Sequence, residues 1–373
     1  MRGGYGVFLN QWAYSVQTAF ARNLPFFFTR QVDVPSTTRV PTFQTATMLT
    51  ADPTAVVSPT IMDYDYRVEY TQTWSGGLQI EASPSTLLEL SYMGSWTTGA
   101  DNATVRNVPE PGAGAIQVRR PIPALGPVRA IRFDGRSIYH GVTARAERLM
   151  RNGLSFSTSY TLSTSKDDAS SPGATESEAN VPQDVRNVFD AGGEWAPSSF
   201  DHRHQLVASA TYEVPELATG RRLNALLRGW RFNAIWLVQS GAPFTVNLGV
   251  DQANIGSGPA QRPDQNGDPN LPRSERSAER WFDTTVFTLP APFTFGSAPR
   301  NSVLGPGFST LDLLVARTWQ AGPVRIETRW EVFNALNRVN LDLPNRTFGT
   351  PNFGRVFSAK SPREMQLGVK LRF

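Results

Sequence analysis

The sequence predicts an all-β fold, an antiparallel up-and-down barrel whose strands cross a membrane. Three features support this fold: apolar and polar residues alternate along many segments, short turns alternate with long connections, and an alternating segment ends on an aromatic residue. Alternation with a period of two gives a β-strand one apolar face and one polar face. In a membrane barrel the apolar face meets lipid and the polar face lines a water-filled lumen.

The clearest alternating segment is the C-terminal one. On one side it carries Met365, Leu367, Val369, Leu371 and Phe373. On the other side it carries Gln366, Gly368, Lys370 and Arg372. A final strand that ends in phenylalanine resembles the assembly signal of outer-membrane barrels. We therefore expect the five apolar residues to be read by the barrel-assembly machinery.

A second alternating segment, Val324–Leu336, carries its charges on one side. These charged residues are Arg325, Glu327, Arg329 and Glu331. The opposite side holds Val324, Ile326, Trp330 and Val332. Four charges in a dry protein core would carry a large desolvation cost, whereas a wet lumen tolerates them. We therefore expect the charged side to face the lumen.

The lengths of the connections favour a barrel over a soluble sheet. Eleven strands are predicted at about 2–8, 14–31, 67–82, 86–97, 137–150, 154–165, 203–214, 225–247, 308–319, 323–336 and 364–373. Short turns are expected at Leu9–Ala13, Ser83–Ser85, Arg151–Gly153, Pro215–Asn224 and Gln320–Gly322, and long connections at 32–66, 98–136, 166–202, 248–307 and 337–363. Such long connections are uncommon in compact soluble domains. Barrels place short turns at the periplasmic rim and long loops outside the cell.

Aromatic residues fall on the apolar sides of these segments. We expect an aromatic girdle at the lipid headgroups, formed by Trp74, Trp96, Trp236, Trp319 and Trp330. The core of a soluble protein could hold the same residues, so the girdle depends on the barrel interpretation.

Composition excludes several other classes. Among the 373 residues there is no cysteine, which removes disulfide frameworks, and the mean hydropathy of −0.31 does not suit a helical membrane protein. No basic run with interleaved aromatics suggests a nucleic-acid groove. The first residues, Met1–Tyr5, lack the apolar region of a secretory signal. We therefore expect either a chain that is not exported or a later piece of a longer one.

Eight ordered segments carry a resemblance to a known family. They are Asp201–Tyr212, Gly229–Ile235, Gln239–Val246, Arg262–Pro272, Arg280–Thr284, Arg300–Phe308, Glu331–Asn340 and Asn352–Val356. Together they resemble the C-terminal barrel half of Oar-like TonB-dependent transporters, and the resemblance covers most of the chain, with residues 1–373 as one barrel domain.

The resemblance implies a role for the intact protein. Members of this family pass large solutes across the outer membrane through a barrel of twenty-two strands, which encloses a folded plug. The chain resembles only the C-terminal half of these proteins. That half does not include the signal peptide, the N-terminal regulatory-like domain, the TonB box, the plug and the first strands. The implied partners are outer-membrane lipid, the protein's own plug and the TonB complex. The charges at Arg325, Glu327, Arg329 and Glu331 would then contact the plug.

No motif for catalysis or for a resident cofactor or metal emerges. The three histidines are His140, His202 and His204, and only the last two are close enough in sequence to share a metal. Asp264–Asn270 alternates like a calcium loop but lacks the final glutamate. We expect a non-enzymatic protein. The competing interpretations are a secreted soluble β-sandwich that binds carbohydrate and a porin without a plug.

The two terminal strands lead to one further expectation. Eleven strands taken from a larger barrel would leave open edges at Arg2–Phe8 and Met365–Phe373. Unpaired backbone groups are costly in lipid. We expect an open or half-closed sheet, because the register of these strands is adapted to neighbours outside the chain.

Overall fold

A computed structural model describes residues 1–10, 21, 23, 56–168, 170, 187–190, 194–215, 227–256 and 261–373. Its main body is one antiparallel sheet of ten long strands. These are β1 (Arg2–Asn10), β2 (Glu69–Ser83), β3 (Thr86–Arg106), β4 (Val128–Arg151), β5 (Leu154–Asp167), β6 (His204–Glu213), β7 (Trp230–Gln239), β8 (Phe308–Ala321), β9 (Val324–Phe333) and β10 (Glu364–Arg372). Each strand pairs with the next along the chain, so the sheet is a simple meander.

Shorter elements lie in the connections. The two-residue and three-residue strands are Thr60–Met62, Ala196–Pro197, Pro243–Phe244, Asn247–Leu248, Asp264–Gln265, Phe287–Thr288, Val303–Leu304 and Thr347–Phe348. The helical elements are an α-helical turn at Ile116–Arg119 and 3-10 turns at Arg273–Glu275 and Thr284–Val286. Within the described ranges, no helix has the length and apolar character needed to cross a bilayer.

Short and long connections alternate along the meander. The connections at one rim are 84–85, 152–153, 214–229 and 322–323, and those at the other are 11–68, 107–127, 168–203, 240–307 and 334–363. Asn152 and Gly153 both have positive φ angles, 53° and 79°, as a type I′ hairpin requires. The predicted alternation is confirmed for these ten strands. We call the two ends the short-turn rim and the long-connection rim.

The prediction at the start of the chain was wrong. β1 continues through Asn10 and pairs directly with β2, from Arg2 opposite Gly77 to Asn10 opposite Glu69. No turn therefore begins at Leu9, and the predicted strand at 14–31 does not separate β1 from β2. That segment lies almost entirely outside the described residues. The turn was placed too early because an alternating pattern does not mark the residue at which a strand ends.

Two strands are much longer than predicted. β3 extends to Arg106, and β4 begins as early as Val128. Both strands are about twice as long as the 9–11 residues that a transmembrane strand needs. Their pairing shifts register near Ala100. Beyond this irregularity the side chains become buried, for example Ile131, which is fully buried. These extensions therefore reach beyond the other strands and join the packed connections.

The register places one apolar face across all ten strands. Residues opposite each other in an antiparallel pair project to the same side of the sheet. Partners on this face include Tyr5 and Trp74, Leu78 and Leu90, Tyr160 and Leu206, Leu313 and Val332, and Trp330 and Leu367. Large apolar side chains on this face remain exposed: Leu90 retains 54% of its accessible surface and Leu367 retains 84%.

Most of the hydrophobic core lies at the long-connection rim, among the connections and the extensions of β3 and β4. Its centre is an aromatic cluster in which Phe282 makes edge contacts with Phe244, Phe287 and Phe353. Two buried ion pairs join this body to other parts of the chain. Arg262 bonds Glu194 at 2.5 Å, and Arg300 bonds Asp167 at the end of β5. The described parts of the long connections therefore form a packed body rather than separate loops.

The sheet is open in the described part of the chain. Its order runs from β1 to β10, and these two terminal strands are not paired with each other. The expectation of an open sheet is confirmed for these residues.

Candidate functional site on the two faces of the sheet and its rim

The four charged residues predicted from the sequence share the polar face of β9. Arg325, Glu327, Arg329 and Glu331 stand opposite residues of β8 on one side and of β10 on the other. None of them shares a face with Trp330, as strand alternation requires. The structure therefore brings together all four residues on the side opposite the apolar face.

These charges are partly satisfied by one another and by their neighbours. Glu327 lies 3.7 Å from Arg231 of β7, and Arg329 lies 3.6 Å from Glu331. Glu331 also accepts a hydrogen bond from the side chain of Gln366. Such exposed pairs contribute little to stability, about 0–1 kcal/mol each. The side chain of Arg329 lies over Gly368, where an added Cβ would come within 3.2 Å of its Cγ.

The rest of the polar face carries many hydroxyl and amide side chains, together with the ion pairs Arg2–Glu89 and Arg145–Glu147. Cross-strand hydrogen bonds connect Thr71 to Thr97 at 2.8 Å and Thr143 to Thr161 at 2.9 Å. Asn233 donates to Thr211 at 2.8 Å. This face therefore combines hydroxyl and amide groups with charges of both signs, so it suits contact with water or with a polar protein surface.

The five tryptophans predicted as a girdle all lie on the apolar face. Trp74 stands opposite Tyr5, Trp96 opposite Ile138, and Trp236 opposite Ala208. Trp319 and Trp330 stand opposite Ile326 and Val315. Trp319 lies near the short-turn rim, where the guanidinium of Arg317 sits 5.2 Å from its ring. Trp236 donates to the hydroxyl of Ser309 at 3.3 Å.

Two tyrosine–histidine pairs on the same face were not predicted. The Tyr92 hydroxyl lies 2.8 Å from Nδ1 of His140, and the Tyr160 hydroxyl lies 2.7 Å from Nδ1 of His204. Each pair is a diagonal neighbour across two strands, a spacing that aromatic side chains can bridge. The strand register contains the signal for these pairs. Val142 lies opposite Tyr92 and Leu206 lies opposite Tyr160, so the histidines two residues away are the diagonal neighbours of the tyrosines.

The histidines do not converge on a metal. Nδ1 of His202 lies 2.7 Å from the carbonyl oxygen of Ser240, whereas His204 bonds Tyr160. The two rings are therefore committed to different partners. Across the residues that the structure describes, no group of three potential metal-ligating side chains of the His, Cys, Asp or Glu type occurs.

The C-terminal strand presents its apolar side chains openly. β10 pairs only with β9 among the described strands, and its other edge is free of a strand partner there. The exposed apolar residues along it are Met365, Leu367, Val369 and Leu371, followed by Phe373 after the end of the strand. This arrangement leaves the predicted assembly signal accessible.

Comparison with known proteins identifies the family. A model of the outer membrane beta barrel domain matches residues 1–366. The chain belongs to this family of outer-membrane barrel domains. Its location is the outer membrane, and the predicted fold class is confirmed. The comparison with curated proteins gives no match.

Several solved structures are similar to the chain. The outer membrane transporter YddB from Escherichia coli is 14% identical, with 84% of this chain and 34% of that chain covered and a TM-score of 0.46. The ferric-catecholate import receptor Fiu from E. coli K12 is 10% identical, with 99% and 32% covered and a TM-score of 0.41. The FrpB iron transporter from Neisseria meningitidis is 12% identical, with 84% and 32% covered and a TM-score of 0.39. The chain spans about a third of the length of these structures.

Membership of this family indicates which face of the sheet meets lipid and which faces the barrel interior. Barrels of this kind present an apolar band to lipid and a polar surface to the interior. The soluble β-sandwich interpretation is therefore wrong, since the described strands form one large sheet rather than two sheets packed face to face. The tyrosine–histidine pairs then lie on the side of the wall that meets lipid.

Proposed function

We propose that this barrel domain is the C-terminal part of an Oar-like TonB-dependent transporter, in which it forms part of the channel wall and the loops that capture the ligand. One observation carries the proposal. Ten strands share an apolar face and a polar face, yet β1 and β10 end the sheet without pairing with each other. Lipid makes unpaired backbone groups costly, so further strands of the intact protein would complete the wall.

The polar face supports a barrel that is filled by a plug. Arg325, Glu327, Arg329 and Glu331 are arranged with alternating sign along one strand, and each keeps some access to solvent. Alternating charges offer polar contacts to a folded domain without creating a strong field of one sign. In this proposal the four residues contact the protein's own plug, and the TonB complex acts on that plug rather than on the wall.

The apolar face supports anchoring in the bilayer. Trp74, Trp96, Trp236, Trp319 and Trp330 form the aromatic girdle in this proposal, since indole rings favour the headgroup level. The packed body at the long-connection rim would stand outside the cell. Its buried aromatic cluster and buried ion pairs give it a fixed surface, which suits capture of a solute better than a set of mobile loops would.

The proposal is tested by crosslinking within the intact protein. A photoreactive amino acid replaces Arg329 on the polar face, and a matched variant carries it at Leu367 on the apolar face. After illumination in outer membranes, mass spectrometry identifies the crosslinked peptides. We expect Arg329 to crosslink to a protein segment outside residues 1–373, and Leu367 to crosslink only to lipid or to its neighbours.

A porin without a plug is the competing outcome. In that case Arg329 would give no crosslink to a segment outside this domain. The purified intact protein would also conduct ions steadily in a planar bilayer, whereas a plugged barrel would not. Both results together would contradict the proposal.

A further inference from the structure

A large cavity lies at the long-connection rim, where the ends of β6 and β7 line it with residues of both faces. Its volume is about 1340 Å³, and its lining includes Tyr160, Leu206 and Val238. These three residues stand next to one another on the apolar face of β5, β6 and β7. The opposite wall comes from the connections 240–307 and 334–363. The cavity therefore lies where the apolar wall ends and the packed connections begin.

The lining of this cavity is strongly cationic. Among the described residues that line it, Asp201 is the single carboxylate, and the cations are Lys166, Arg203, Arg273, Arg276, Arg300 and Arg338. Arg300 is neutralised by its buried pair with Asp167. The remaining cations come from separate parts of the chain, so folding alone brings them to one place. Lys166, Arg203, Arg273 and Arg338 are exposed.

Burial and neighbouring charges both act on the ionisable groups of this cavity. Burial lowers the pKa of Arg276, and the neighbouring charge of Arg273 lowers it further, although Asp268 opposes the change. Burial raises the pKa of Asp201, whereas the charges of Arg203 and Lys166 act to lower it. A bound anion would relieve the repulsion between these cations, because an opposite charge nearby favours the charged form.

One of the cations is already held in place. The Nε of Arg276 donates to the carbonyl oxygen of Leu271 at 2.8 Å, and its guanidinium lies 5.6 Å from the centre of the Trp281 ring. These contacts use one of the five N–H donors of the guanidinium and leave the Nη groups for a ligand. Arginines in this arrangement bind phosphate oxygens well, since the planar group can make paired charge-assisted bonds.

Below the cavity, a strip of small residues continues along the apolar face. Ala208 stands opposite Thr158 and Trp236, and Ala210 stands opposite Ala234. Small side chains leave a shallow path for hydrocarbon between the bulkier residues on either side. A ligand with an anionic head and several acyl chains could therefore place its head in the cavity and its chains along this strip.

We propose that this cavity binds the phosphate groups of a phosphorylated glycolipid in the outer leaflet, with its acyl chains against β5, β6 and β7. The apolar floor distinguishes this ligand from a soluble anion, which would gain nothing from Tyr160, Leu206 and Val238. The proposal depends on the long-connection rim facing outwards, as the proposed function has it. Binding of the lipid does not require transport, so the two proposals can fail separately.

The test measures lipid binding to the intact protein in detergent micelles. The probe is a bis-phosphorylated glucosamine disaccharide lipid, compared with the same lipid after removal of its phosphates. We expect the phosphorylated lipid to bind, and we expect the dephosphorylated lipid to bind with an affinity lower by at least on the order of tenfold. Lys166→Gln with Arg203→Gln, and separately Arg273→Gln with Arg338→Gln, should each weaken binding by on the order of tenfold.

The control variant removes two cations from the opposite end of the sheet. Lys370→Gln with Arg372→Gln should leave binding unchanged, since both residues lie on the polar face. Resistance to unfolding in cold detergent confirms that each variant is folded. Equal binding of both lipids, or equal binding by both cavity variants and the wild type, would overturn the proposal. Inorganic pyrophosphate that binds as tightly as the lipid would assign the cavity to a soluble anion and would also overturn it.

Discussion

The hydroxyl of Tyr160 lies 2.7 Å from Nδ1 of His204, and both side chains stand on the apolar face near the long-connection rim. The two rings stack with their centroids 6.2 Å apart. Tyr92 and His140 repeat the arrangement two strands away. Polar aromatic groups that satisfy each other can lie at the edge of the hydrocarbon without an unpaired donor or acceptor.

Loss of one hydroxyl should therefore destabilise the barrel domain measurably. Tyr160→Phe leaves the imidazole of His204 without this partner, and we expect a loss of about 1 kcal/mol in the free energy of unfolding. Denaturant titration of the intact protein in lipid vesicles measures it. Tyr212→Phe is the matched control, since Tyr212 lies on the same face opposite Leu154 and Phe232. Equal losses for both variants would show that the Tyr160–His204 bond contributes nothing specific.

The two faces of β3 should respond differently to a charge. Leu90 lies on the apolar face opposite Leu78 and Ala144, and the next residue, Ser91, lies on the polar face. Leu90→Arg should cost about 2–4 kcal/mol if the residue lies near the bilayer midplane. Ser91→Arg should cost much less, because its side chain reaches a polar environment. The free energy of unfolding in vesicles decides this, and equal costs at the two positions would contradict the assignment of faces.

The buried pair of Arg300 and Asp167 should matter more than any exposed pair. Both side chains are almost fully buried, and Arg300 also donates to Ser170 at 3.0 Å. Arg300→Met leaves the Asp167 carboxylate buried without its partner, and we expect destabilisation of about 3–5 kcal/mol.

A matched control for this pair lies at the surface. Arg106 bonds Asp63 at 2.7 Å, with about half of the arginine side chain exposed. Arg106→Met should cost at most about 1 kcal/mol. Limited proteolysis at the long-connection rim provides a second readout, in which only Arg300→Met should expose new cleavage sites. Similar effects of both variants would contradict the role of burial.

The C-terminal residue should influence assembly rather than stability. Phe373 is almost fully exposed and follows the last strand. Deletion of Phe373 from the intact protein should reduce the amount found in the outer membrane and increase its degradation in the periplasm. Phe357→Ala changes another exposed phenylalanine, within the 334–363 connection, and should leave the yield unchanged. An unchanged yield after deletion of Phe373 would contradict the prediction that this residue is part of an assembly signal.

The sequence predicted those parts of the fold that depend on local pattern. The alternation along Val324–Phe333 placed four charges and their apolar neighbours on the correct opposite faces, because a strand has a fixed period. Asn152-Gly153 predicted its turn, because few residues adopt two positive φ angles in succession. The start of the chain was misread, since β1 pairs with β2 across a connection whose residues carry no decisive pattern.

Long-range features could not be predicted in the same way. Arg300 and Asp167 are 133 residues apart, and nothing near either residue indicates the other. The cationic cavity has the same origin, since its charges come from separate connections that only folding brings together. The tyrosine–histidine pairs lie between these cases, because the strand register determines them once the pairing of the strands is known.

The most direct test of the central claim, that one face of this sheet meets lipid and the other does not, is a spin-label scan along β3. Residues 1–373 contain no cysteine, so single cysteines at consecutive positions from Leu88 to Met93 introduce the only thiol in this part of the intact protein. In bilayers, we expect collisions with dissolved oxygen to be frequent at Leu88, Leu90 and Tyr92 and infrequent at the positions between them. A scan without a period of two, or one in which a water-soluble nickel reagent reaches Leu90 as readily as Ser91, would contradict the account.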